Sequence, residues 1–207
     1  MLQEIDRYWD GMHSEGLDCT ITKFIELYGD RTGQKGDGVH GGAAWIGGEK
    51  FVLLASGGEN APDAADWRRM SRLAALAQHL RRPVLLWDMP LQVVATALQK
   101  QPLVINEAIQ DCKLALLRMR VPVISVFKER FPVVLAPEIA MVDGAVIVSD
   151  HPELLASISE DLPPITMARN GKHNLAQEIL GLFEGVSKIG GVDLERRRVE
   201  QIRKITM

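Results

Sequence analysis

Cysteine is nearly absent from this 207-residue chain. Cys19 and Cys112 are the only two, too few for a disulfide framework or a zinc site. Buried free thiols in a reducing cytoplasm are the expectation. Long apolar runs are missing as well. None approaches the roughly 18 residues of a membrane span. The opening "MLQEIDRYWD" has early acids and no apolar core, which does not fit a signal peptide. Excess charge is lacking. A formal net charge of −3 gives no whole-chain pull toward nucleic acid or an anionic membrane. Nucleotide fingerprints are weak. "GDGVHGG" (36–42) has GxGxxG spacing at Gly36, Gly38 and Gly41, but it leads into a hairpin and not from a strand into a helix, and GxxxxGK spacing is absent. His13, His40, His79, His151 and His173 are scattered and form no HExxH or triad-like pairing. No internal repeat is present.

What remains is an ordinary globular composition, 46% apolar and 25% charged. The length fits one domain over 1–207, with an N-terminal helix (1–20) and a C-terminal helix (193–207) as appendages. Leu2, Ile5, Trp9 and Met12 have helical spacing. Asp18 or Thr20 is expected to cap a second helix carrying Phe24, Leu27 and Tyr28. The Gly/Asp-rich stretch 28–42 reads as loop. "AAWIGGEKFVLLAS" (43–56) reads as a hairpin turning at Gly47-Gly48. These two glycines and Gly41-Gly42 are expected to serve backbone geometry, not ligand contact. Asp63 or Asp66 can cap a helix whose stripe is Trp67, Met70, Leu73, Ala74, Ala77 and Leu80.

Three apolar runs of strand length follow: 83–88, 121–127 and 144–149. Between the first two lies a helix with Asn106 as its expected cap, carrying Ile109, Cys112, Leu116 and Met119. Helices over 174–184 and 193–205 close the chain, the last capped by Asp193. Alternating strands and helices imply right-handed crossovers and a mainly parallel sheet, an α/β fold.

Few residues stand out as chemistry. Asp88 ends a buried strand, where ligands of open α/β sheets gather. A helix or turn cap is its equally weighted structural role. His40 is the one histidine placed as a candidate, in a glycine-rich loop. The cluster Arg196, Arg197, Arg198, Arg203 and Lys204 reads as a solvated helix face.

Several stretches, taken in order, carry more than any one alone. They are "FIELYGDR" (24–31), "VHGGAAWIGGEKFVLLA" (39–55), "DWRRMSRLAALAQHLRRPVLLWDMP" (66–90) and "NEAIQDCKLALLRMRVPVISV" (106–126). "PELLASI" (152–158), "NGKHNLAQEI" (170–179) and "DLERRRVEQIRKI" (193–205) continue the series. Together they resemble the carboxyltransferase alpha subunit family of bacterial acetyl-CoA carboxylase. The first is similar to that family's F-x-E-L-x-G-D-R segment. The third is similar to its G-Y-R-K-A-x-R-L helix and the strand ending D-T-P-G. The last is similar to its closing E-D-L-x-x-x-R-Y helix.

The resemblance implies a crotonase-like fold, a spiral of ββα units. It implies a heteromeric, cytoplasmic enzyme of fatty acid biosynthesis. Such an enzyme moves a carboxyl group from carboxybiotin, borne on a carrier protein, to acetyl-CoA, giving malonyl-CoA. The family's beta subunit carries a Cys-rich zinc motif that nothing here matches. The implied role is therefore alpha-type, in a homo-oligomer or with a beta-type partner.

Two loops depart from the family. Where it has G-E-G-G-S-G-G-A, this chain has "ERFPVVLA" (129–136). Glycine amides there can hold a developing oxyanion. Pro132 has no N–H, and Val133 and Val134 disfavour positive φ. Where the family has D-T-P-G-A-Y-P-G, this chain has "DMPLQVVA" (88–95), keeping Asp88 and Pro90. By the resemblance, Asp88, Met89 and Pro90 would shape one side of the cofactor site, and Val134 and Leu135 the other. Lys128 and Arg130 are the candidate catalytic donors replacing lost glycine amides. Three readings stay open: an active carboxyltransferase, a non-catalytic subunit acting in assembly or regulation, or a different acyl-CoA reaction. A plug of Phe131, Val134 and Leu135 would favour the second.

Overall fold

The computed structural model describes residues 20–27, 38–56, 62–89, 102–128, 137–151, 162–169 and 174–206. Seven strands among them form one sheet in sequential order. They are β1 (Lys23–Glu26), β2 (Val39–Ile46), β3 (Glu49–Ser56), β4 (Val84–Trp87), β5 (Val123–Lys128), β6 (Gly144–Val148) and β7 (Ile165–Ala168). β1, β2 and β3 pair antiparallel, and β3 to β7 pair parallel. The helices are α1 (Ala64–Leu80), α2 (Pro102–Leu117), α3 (Leu175–Ser187) and α4 (Gly191–Thr206).

The parallel strands are apolar on both faces because both faces are covered. On one side Val84 and Leu86 meet Met70 and Ala77 of α1 and Ile109 and Cys112 of α2. On the other, Leu53, Leu85 and Ile124 belong with Ile179 and Leu182 of α3. Burial pushes the Cys112 thiol up to about 12, so it stays an inert core group. Cys19 lies outside the described residues.

The hairpin joins β2 to β3 through Gly47 (φ 54°) and Gly48 (φ 89°), in the Ile46↔Glu49 register. Two positive φ values suit the right-handed strand twist, and only glycine takes both without strain. A Cβ on Gly47 would also meet Leu180 Cδ1 at 2.6 Å, while one on Gly48 meets nothing within 4 Å. Gly48→Val is therefore expected to lower stability by roughly 1 kcal/mol, and Gly47→Val by more. Urea unfolding checks this; an unchanged midpoint for both variants would refute it.

Asp63 is the N-cap of α1, and Asp66 completes a capping box. The expected stripe is buried except for Leu80, which is exposed.

Four expectations need correction. The helix placed over Phe24 and Leu27 is instead strand β1, with Leu27 just past its end and Tyr28 outside the described residues. Phe24 is buried while Lys23 and Ile25 face out, the period-2 pattern of an edge strand. The partner strand makes this possible. A Cβ on Gly42 would sit 2.1 Å from the Ile25 carbonyl oxygen, so only glycine admits β1 this close. Secondly, β2 begins at Val39, so Gly41 and Gly42 are strand, not loop. Thirdly, α2 begins at Pro102, which needs no N–H donor at a helix start, and Asn106 lies inside. Finally, α4 begins at Gly191, and Asp193 sits exposed in its first turn. Strand β7, four residues long and directly after Pro163-Pro164, is too short to announce itself in the sequence. The helix expected over 2–12 lies outside the described residues.

Candidate functional site

The carboxyl ends of β4 and β5 are where the sequence places its candidates. Asp88 follows the last residue of β4 and has φ 49°, in the left-handed region. Its N–H donates to the Val126 carbonyl at 2.8 Å. Its Oδ1 accepts from the Lys128 N–H at a long 3.4 Å. The turn-cap role and the strand-end position thus coincide in one residue. Lys128 closes β5, paired with Val148 of β6, and is half-buried. The Met89 side chain is fully buried in the core under α1 and α2. Pro90, Arg130, Phe131, Pro132, Val133, Val134 and Leu135 lie outside the described residues. One strand further, buried Ser149 accepts from the His151 N–H at 3.1 Å, and His151 itself is exposed. Among the described residues, no group of three His, Cys, Asp or Glu is placed to hold a metal ion.

His40 lies in strand β2 and not in a loop. Its Nδ1 lies 3.1 Å from Glu26 Oε1. The same oxygen accepts from Arg69 Nη2 at 2.9 Å. Arg69 also donates to the Leu27, Val39 and Gly41 carbonyls. This knot ties α1 to β1 and β2 and satisfies a buried guanidinium. Glu26 and Arg69 are the third and fourth residues of the "FIEL" and "DWRR" segments. Their part is to hold the scaffold together.

Arg198 overturns the reading of the last helix as a solvated basic face. It is fully buried, although Arg196 and Arg203 of the cluster are exposed. Nη1 meets Asp143 Oδ2 at 2.5 Å, Nη2 donates to the Met119 carbonyl, and Nε to the Leu117 carbonyl at 3.3 Å. Asp143 Oδ2 also accepts from the Val123 N–H at 2.8 Å. Burial pushes the Asp143 carboxyl up to about 6, with Arg198 opposing the shift. Helical spacing carried the missed signal: Leu194, Arg198 and Gln201 fall on one stripe, and all three are buried.

No protein-family model matches the sequence, and no curated protein sequence is significantly similar to it. Solved structures are similar in fold. One chain of a malonate decarboxylase MdcD–MdcE hetero-dimer from Pseudomonas superposes with a TM-score of 0.54 at 16% identity, covering 79% of this chain and 81% of that one. The beta subunit of P. aeruginosa geranyl-CoA carboxylase gives 0.53 at 18% identity, covering 77% of this chain but only 39% of its own. A transcarboxylase 12S hexamer core with hydrolysed methylmalonyl-CoA bound gives 0.55 at 13% identity, over 89% and 43%. Against these two carboxylase-type chains the protein spans about two fifths of the length. No helix of the described residues is long and apolar enough to cross a membrane. With its mainly parallel sheet and flanking helices, the chain has the crotonase-like fold.

Proposed function

We propose that this protein is a divergent carboxyltransferase subunit of the acetyl-CoA carboxylase alpha type, acting in the cytoplasm. It binds an acyl-CoA thioester at the carboxyl ends of β4 and β5. The co-substrate is carboxybiotin on a carrier protein, the acceptor is acetyl-CoA, and the product is malonyl-CoA. The observation that carries this reading is the placement of Asp88 and Lys128. They stand side by side at the two strand ends that open the segments aligned with the family's carboxybiotin loops. Solved structures of the same fold include a geranyl-CoA carboxylase subunit and a transcarboxylase core. Calorimetric titration with acetyl-CoA tests the binding step. A carboxyltransfer assay with free biotin and malonyl-CoA, with and without a beta-type subunit, tests the reaction. No binding and no transfer in either arm would end the proposal.

A second reading is favoured by one specific stretch. "ERFPVVLA" (129–136) replaces a glycine-rich segment with Pro132 and two β-branched residues, which suits a non-catalytic subunit kept for assembly or regulation. Binding of a beta-type subunit without turnover in the complex would support it.

Either reading needs company. At the start of α2, Leu103 is 84% exposed and Val104 stands beside it, also exposed. A homo- or hetero-oligomer is expected. Sedimentation at tens of micromolar (ordinary interfaces lie in the nanomolar to micromolar range) should show more than a monomer. A monodisperse monomer that also ignores a beta-type subunit would count against it.

A further inference from the structure

We infer that Asp88 is a positioning residue that splits β4 from β5 and fixes the backbone of Lys128 at the mouth of the site. The inference rests on the reading of these strand ends as the acyl-CoA site. In a parallel ladder, every second residue of a strand turns both its N–H and its C=O toward the same neighbour. Val126 faces β4, since its carbonyl accepts from Asp88. Lys128, two residues on, faces β4 as well. The next rung would run from the Lys128 N–H to the Asp88 carbonyl.

The chain takes another course. At φ 49° Asp88 leaves the extended conformation, and β4 ends at Trp87. The side-chain Oδ1 stands in and receives the Lys128 N–H at 3.4 Å. This is the local substitution of a side-chain acceptor for a main-chain one that Asp and Asn perform in turns. Both residues also tolerate the left-handed region better than other side chains. The strands therefore part just beyond the Trp87–Val126 pair. Lys128 stays held from two sides, by Asp88 and by its pairing with Val148. The Lys128 side chain projects from a fixed backbone. Asp88 acts through Lys128 and its own backbone turn.

Three variants test this: Asp88→Asn, Asp88→Gly and Asp88→Ala. Amide hydrogen exchange at Lys128 and acetyl-CoA titration are read for each. Asparagine keeps the acceptor and the backbone preference, so it should preserve both readouts. Glycine keeps the turn and loses the acceptor. Lys128 exchange should then speed up by roughly five- to tenfold, with weaker acetyl-CoA binding. Alanine should lose at least as much as glycine. If asparagine behaves like alanine, the carboxylate charge matters and the positioning role is wrong. Unchanged Lys128 exchange in the glycine variant would also overturn it. Should the parent bind no acetyl-CoA, the functional proposal fails, and Lys128 exchange in folded variants still decides the split.

Discussion

Arg198→Met is expected to be the most destabilising single change in the described structure, lowering stability by about 3–5 kcal/mol. The methionine fills much of the guanidinium's space. What remains is Asp143, almost fully buried, with its main counter-charge gone. The carbonyls of Leu117 and Met119 lose their donors too. Chemical unfolding of the variant measures the loss. A loss below about 1 kcal/mol, the scale of an exposed pair, would show that the Arg198–Asp143 contact is not formed.

Two refinements separate the unpaired charge from the lost packing. Adding Asp143→Asn to Arg198→Met removes the stranded carboxylate and keeps an acceptor for the Val123 N–H. The double variant should recover a large part of the loss. The pH dependence has a definite sign. Burial disfavours the Asp143 anion and pushes its carboxyl up from an ordinary 3.8 to about 6 in the fold. A carboxyl raised on folding stabilises most below its unfolded pKa, and that contribution is lost as pH rises through about 4 to 6. Removing Arg198 takes away the charge that opposes the rise, so the folded pKa climbs further. The deficit of Arg198→Met relative to the parent should therefore be largest near pH 8 and shrink toward pH 4. A deficit independent of pH over that range would show that Asp143 is not the group left unpaired.

The second large effect concerns catalysis. On the non-catalytic reading, the purified chain alone is expected to show no carboxyltransfer or malonyl-CoA decarboxylation above background. The reason lies in "ERFPVVLA" (129–136). Pro132 has no N–H to offer an oxyanion, and Val133 and Val134 resist the backbone that a glycine turn adopts. Each oxyanion donor is worth about 2.7–4 kcal/mol, so losing two removes roughly 5–8 kcal/mol of transition-state stabilisation. That is a factor of roughly 10⁴ or more in rate. Lys128 and Arg130 offset this only if their side chains turn inward, and charged groups at strand ends more often face water. Robust biotin-dependent turnover by the parent, abolished in Lys128→Ala or Arg130→Ala, would make those two residues the replacement donors and remove the non-catalytic reading.

How far the sequence reached depended on the range of the interaction involved. Apolar runs such as "PVLLW" and "VPVISVF" declare strands buried on two faces, because every residue meets a core whichever way it points. The Gly47-Gly48 turn and the Asp63–Asp66 cap are equally local. Each is a few residues whose own stereochemistry admits little else. The strand-end position of Asp88 followed from the same logic.

Other features were decided by partners distant in the chain. Phe24 sits in a strand because Gly42 leaves room for the backbone of Ile25 and Glu26 beside it. Helical spacing alone fitted the segment equally well, and only the neighbouring strand selects the period of two. His40 joins Glu26 and Arg69, and Arg69 reaches Glu26 across 43 residues. Arg198 reaches Asp143 across 55 residues. The composition of "ERRRVEQIRK" marks a charged helix and does not mark which arginine turns inward. That choice belongs to the carboxylate and carbonyls waiting on another element, since a guanidinium is buried only where its donors are met. The left-handed turn at Asp88 is of the same kind. A strand can continue or break after Trp87, and the amide of Lys128, 40 residues on, supplies the hydrogen bond that favours the break.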